Sequence, residues 1–219
     1  MAIGFQLSAR SRLIDLLKKN WHFLLAHVAG IGPLAVLVYY YASDTVVNPI
    51  RFIIVQTGAI SLIFLVASLA CTPVRKILGW SGAVQIRRAL GLYGFLYAAL
   101  HFWAYLDLEN DLYFDLIWRD LGERRAMPVG IIAFLLLVPL AVTSTRGWQR
   151  RLGKRWRQLH RLVYIAIPVC IWHYFWLDRD FVTWPLIYGA IVAVLLLVRL
   201  PFFRPLINSG IRYGKARQK

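Results

Sequence analysis

RRALGLYGFLYAALHFWAYL, residues 87–106, decides how this chain is to be read. Two arginines open it, and the eighteen residues that follow carry no Asp, Glu, Lys or Arg. That run is close to the ~20 apolar residues a helix needs to cross a hydrocarbon core. The apolar positions are continuous and do not alternate, so a membrane strand of about 10 residues with period two is excluded. One ionisable side chain, His101, sits deep in the run. Imidazole inside a membrane is costly unless it pairs, which makes it a functional candidate by default.

Working outward, five further stretches have the same character. Spans are predicted near 21–42, 52–72, 89–106, 127–145, 160–177 and 182–203. The chain of 219 residues is 59% hydrophobic and 16% charged; soluble domains carry about 25% charged residues. The reading is an all-α polytopic membrane protein, a six-transmembrane-helix bundle forming one domain over residues 1–219. A net charge of +16 would suggest nucleic acid in a soluble protein. Here the basic residues lie in short loops between apolar runs, so orientation in the membrane explains them and no nucleic-acid partner is expected.

With the amino terminus in the cytoplasm, the outer face keeps only Arg51, Arg119, Arg124, Arg125 and Arg179 of the 26 basic residues. Of the 10 acidic residues only Asp15 falls inside. Both termini and loops 73–88 and 146–159 are therefore expected in the cytoplasm, in a multi-pass membrane protein. Segment 1–19, basic with Leu13, Ile14, Leu16 and Leu17, reads as a surface helix or a solvated tail. No cleavable signal sequence is expected. Loop 146–159 serves topology or docks an acidic soluble partner; acidic loop 107–126 is an outer docking face or a solvated loop. Cys71 and Cys170 have no neighbour at ligand spacing and read as buried apolar residues.

The histidines carry the chemistry. His101 on the third span and His173 on the fifth both fall in the outer halves of helices running outward. His160, thirteen residues before His173, lies near the cytoplasmic face, about 20 Å away along a helix. That is too far for one metal held by both, and it suits two stacked cofactors. In an ideal helix the two side chains would point about 140° apart; Pro168 between them predicts a kink that changes this. Gly91, Gly94, Ala98 and Ala99 leave room on the third span for close approach of a helix or a ring. His101 and His173 could face each other at one depth and hold haem iron from two sides, or only bond between helices. His22 and His27 read as polar contacts of the first span, with a quinone-site or spare-ligand role for His27 as the alternative.

The order of residues in TSTRGWQRRLGKRWRQLHRLVY (143–164) is not forced by helix physics. With RRALGLYGFLYAALHFWAYL (87–106), IPVCIWHYFW (167–176), WPLIYGAIVAVLLLVRL (184–200) and AHVAGIGPLAVL (26–37), it resembles one family. These are the haem-binding membrane subunits of bacterial periplasmic methionine sulfoxide reductase systems, the MsrQ or YedZ family, within the ferric-reductase-like transmembrane superfamily. The resemblance implies haem b, one or two, with FMN as a further cofactor, and electron transfer across the inner membrane. The implied partner is a periplasmic molybdopterin-containing methionine sulfoxide reductase subunit, and the implied donor is a cytosolic flavin reductase or quinol. Residues 204–219 are too few for a nucleotide-binding domain, so electrons are expected from a separate donor. The superfamily carries two histidines fourteen residues apart on helix three and two thirteen apart on helix five. Helix five matches with His160 and His173; helix three matches only at His101, with Arg87 fourteen residues earlier.

Arg87 is a poor iron ligand because guanidinium stays protonated. It is well suited to grip a carboxylate or phosphate. Arg87 and Arg88 are thus candidates for a haem propionate or a flavin phosphate. His160 is a candidate for a second haem, a flavin entry site or a structural interfacial residue. The competing functions are a stand-alone ferric or quinone reductase of the same fold, and a non-redox anchor or transporter in which the histidines only pack.

Overall fold

The computed structural model describes residues 2–43, 45–177 and 183–199. Among them every regular element is helical: α1 (Ala2–Ala42), α2 (Pro49–Leu78), α3 (Gly82–Ala104, continued by a π turn Tyr105–Glu109), α4 (Phe114–Glu123), α5 (Ala126–Val142), α6 (Arg146–Leu152), α7 (Lys154–Leu159), α8 (Val163–Leu177) and α9 (Thr183–Leu197). A 3-10 turn, His160–Leu162, joins α7 to α8.

Local chemistry sets the boundaries. Asn48 caps α2 by accepting the Arg51 N–H at 2.9 Å, with Pro49 in the first turn where its missing N–H costs nothing. Gly79 ends the helix at φ 71°, its N–H bonded to the Arg75 carbonyl, a left-handed position suited to glycine. Thr145 caps α6 through the Trp148 N–H.

The bundle is built from two antiparallel pairs, α2 with α3 and α5 with α8, joined where α3 meets α5 and α2 meets α8. Leu62, Leu65, Leu69, Leu137, Ala166, Ile167 and Val192 form the shared core. A second cluster, Leu37, Phe64 and Tyr97, seats α1 against α2 and α3. Of the small residues foreseen on the third span, Gly94 brings α3 against α2: a Cβ there would lie 2.8 Å from Leu65 Cγ, and its carbonyl accepts from Ser61 Oγ at 2.8 Å. Ser68 Oγ donates to the Arg87 carbonyl about two turns further along the same seam.

The span count differs from the sequence expectation. Asn20–Ala42, Pro49–Leu78 and Gly82–Glu109 are long and apolar enough to cross, and α4 with α5 makes a fourth if counted together across their 107° bend. The other apolar helices fall short of the usual ~20 residues: α5 has 17, α8 and α9 have 15 each. The forecast sixth span reaches 203, and residues 200–203 lie outside the described residues, as do 178–182. Residues 2–19 continue the first span as one helix.

Loop 107–126 is more ordered than a solvated loop. It contains α4, tied down by buried Asp120, which accepts from Tyr105 Oη at 3.0 Å and pairs with Arg124 at 3.2 Å. Phe114 and Trp118, one turn apart, remain exposed. Loop 146–159 folds as α6 and α7, broken at Gly153 with φ 51°.

Candidate functional site

His101 on α3 and His173 on α8 come together. Their ring centroids are 6.2 Å apart with planes at 76°. Each ring is held from behind by a main-chain carbonyl. His101 Nδ1 lies 2.8 Å from the Ile54 carbonyl of α2, and His173 Nδ1 lies 2.7 Å from the Ala126 carbonyl at the start of α5. A carbonyl only accepts, so in both rings Nδ1 carries the proton and donates. Nε2 is then left with its lone pair in both. This is the state in which imidazole binds a metal, and a donated Nδ1–H to a carbonyl is the usual outer support of a ligating histidine.

The spacing fits the same chemistry. Imidazoles on opposite sides of one metal ion, with metal–nitrogen bonds of about 2 Å, have ring centroids about 6 Å apart. Glycines flank both rings: a Cβ on Gly58 would lie 3.1 Å from His101, and one on Gly130 would lie 2.7 Å from His173. The residues present therefore fit a metal group taken by two facing imidazoles.

His160 occupies the other end of α5. Its Nε2 is 3.1 Å from Thr143 Oγ1, and that hydroxyl donates to the Pro139 carbonyl at 2.6 Å. The Thr143 proton is thus committed, so His160 Nε2–H donates and Nδ1 keeps the lone pair. Trp156 covers the ring at 4.1 Å between centroids, and its indole N–H donates to the Thr143 carbonyl. His160 and His173 consequently both address α5, at its opposite ends. The 3-10 turn at 160–162 advances the chain by about 120° per residue instead of 100° and rotates His160 toward that face.

Arg87 donates to Thr72 Oγ1 at 3.4 Å, toward the C-terminal end of α2, whereas Arg88 is exposed. Arg199, which the sequence reading passed over, reaches α2 as Arg87 does. It donates to the Leu69 carbonyl and, at 2.7 Å, to Tyr164 Oη, with its guanidinium 5.2 Å from the Tyr164 ring centre. The signal was Pro73: a proline removes the N–H that would bond the carbonyl four residues earlier, which is Leu69. Arg199 takes the acceptor that Pro73 leaves free.

His22 and His27 stand apart on α1, bonded to Gln85 at 2.9 Å and to Tyr93 Oη at 2.8 Å. Cys71 and Cys170 are free thiols. No group of three or more His, Cys, Asp or Glu side chains gathers among the described residues.

Comparison with known proteins agrees with this architecture. Residues 52–171, which run from the first turn of α2 through α3 and α5 into α8, match the family described as ferric reductase like transmembrane component. The protein-methionine-sulfoxide reductase heme-binding subunit MsrQ of Herminiimonas arsenicoxydans is 43% identical over 79% of this chain and 81% of its own. The MsrQ subunit of Rhodospirillum rubrum is 46% identical over 75% and 81%, and that of Caulobacter vibrioides 41% over 80% and 85%. No solved structure matches. The chain belongs to the MsrQ family, among the ferric-reductase-like transmembrane proteins.

Proposed function

We propose that this chain is a haem b electron-transfer subunit. It passes electrons across the inner membrane from a cytosolic flavin reductase or the quinol pool to a periplasmic molybdopterin methionine sulfoxide reductase, for repair of oxidised proteins. The observation that carries the reading is the facing pair His101 and His173, with both Nδ1 atoms donating to carbonyls and both Nε2 atoms left as lone-pair donors. Haem iron supplies one-electron chemistry, and two imidazole ligands leave no open position, which favours electron transfer over oxygen binding. The relatives' name, a heme-binding subunit of a methionine sulfoxide reductase, supports the same assignment.

His101 and His173 hold the outer haem. His160, about 20 Å deeper along the helix, is the residue for a second haem or for a flavin entry site at the cytoplasmic face. Arg87 and Arg88 are the residues for a propionate or an FMN phosphate, and the Thr72 contact of Arg87 favours Arg87 of the two. Six spans with both termini in the cytoplasm follow from the loop charges, with α5, α8 and α9 as the shorter crossing helices.

Reconstitution tests the role. Purified chain in vesicles, given reduced flavin or a quinol and the periplasmic subunit, is expected to support sulfoxide reduction. Ferric reduction without any partner would favour a stand-alone reductase, and sulfoxide reduction by the isolated chain would contradict the conduit role.

A further inference from the structure

The two histidine contacts are copies of one arrangement. Ile54, Gly58 and His101 on one side correspond to Ala126, Gly130 and His173 on the other, each residue 72 positions from its counterpart. The carbonyl that accepts is 47 residues before its histidine in both cases. The glycine that meets the ring lies four residues after that carbonyl in both. The correspondence extends along the helix pairs: Ser61 with Ala133 and Leu65 with Leu137 are buried on α2 and α5, and Gly94 with Ala166 on α3 and α8. The α2–α3 pair and the α5–α8 pair thus present their histidines through the same device.

The device has a physical reason. In an α-helix the carbonyl of residue i already accepts the N–H of residue i+4. It has a second lone pair, but a side chain at i+4 stands on the same face, over the approach to it. Removing the Cβ at i+4 opens that approach. Gly58 is i+4 to Ile54, and Gly130 is i+4 to Ala126. A glycine inside a helix costs about 1 kcal/mol against alanine, so two of them at this one register, each with an imidazole within 3.1 Å of its Cβ position, call for a role. Gly32 of α1, by contrast, has nothing within 4 Å of its Cβ position.

We propose that Gly58 and Gly130 are positioning residues that seat the two ligand imidazoles on helix carbonyls and thereby set their donor strength. A histidine whose Nδ1–H is bonded to a carbonyl is a more basic ligand and favours the oxidised metal. The device is duplicated, so both ligands are strengthened alike. The inference rests on the haem-ligand reading of His101 and His173 and adds the residues that tune it.

The test uses full-length protein purified in detergent: wild type, Gly58→Ala, Gly130→Ala, the control Gly32→Ala, and His101→Ala and His173→Ala. Haem-to-protein ratio, a redox titration and low-spin EPR are read for each. Both glycine variants are expected to shift the midpoint potential to more positive values and to retain haem about tenfold less tightly or worse. The change should be larger for Gly130→Ala, whose Cβ would come to 2.7 Å, than for Gly58→Ala, at 3.1 Å. Gly32→Ala should match wild type. If Gly130→Ala does not fold, the milder Gly58→Ala still decides. In the wild type, hyperfine spectroscopy should resolve a hydrogen-bonded Nδ1 proton on both ligands, and its absence on either would overturn the proposal. Histidine variants that lose haem beside a Gly58→Ala protein with wild-type potential and EPR would refute the positioning role alone. Histidine variants that keep wild-type haem content and spectrum would refute the ligand reading beneath it.

Discussion

Single atoms decide most of what this chain can do. His101 and His173 were legible as a pair at one depth, because two outward-running apolar segments each carry one histidine in the outer half. Their tautomers were not legible, since the partners are main-chain carbonyls of Ile54 and Ala126, and a carbonyl leaves no mark in a sequence. His160 fits the helix-five spacing that the resemblance implies, and the departure falls on helix three, at Arg87. Replacing His160 with alanine removes the Thr143 contact and the ring under Trp156. Loss of about half the haem in His160→Ala, by pyridine haemochrome assay against wild type, is expected if it holds a second one. Full haem with failed reduction by flavin alone would assign it to electron entry. Arg199 gives a stability test. Arg199→Met leaves the Leu69 carbonyl, freed by Pro73, without its partner, at a cost of about 1–3 kcal/mol. A lower thermal midpoint in detergent is the readout, and an unchanged midpoint would count against the capping role. Pro73 was visible in the sequence, but its partner comes from 130 residues away and could not be read from local pattern.

At the scale of elements, the seam between α2 and α3 is the tightest constraint. Gly94→Val would push a branched side chain into Leu65, including its backbone nitrogen 3.2 Å from the Cβ position. Overpacking of that kind costs about 1–3 kcal/mol, and the variant should unfold earlier in a thermal melt while Gly32→Val, on an open face, should not. Helix identity along 89–106 and 52–72 followed from continuous hydropathy. What hydropathy could not give was the end of each helix. The forecast fourth span, 127–145, stops at Val142, where Thr143 turns back onto the Pro139 carbonyl. The forecast fifth begins with a 3-10 turn, whose tighter winding takes up part of the ~140° between His160 and His173 that an ideal helix would impose. The α4 helix went unread because six acidic residues in 107–123 mask its alternation of inward and outward faces; Asp120 proves to be a buried anchor.

For the whole molecule, charge and depth work together. The arginine-rich loop that folds as α6 and α7 lies at the His160 end of α5, and the acidic α4 region lies at the His173 end. Reporter fusions are expected to place 146–159 in the cytoplasm and 107–126 in the periplasm; the opposite result would exchange the inner and outer sites. The two histidine positions then stand at opposite ends of α5, a helix of 17 residues, about 25 Å long. The most direct test of this account is the reduced-minus-oxidised spectrum and haem-to-protein ratio of the purified chain, for wild type, His101→Ala and His173→Ala. The expected result is a low-spin b-type spectrum in the wild type, with the outer haem lost in both single variants. Wild-type haem content and an unchanged spectrum in both variants would contradict it.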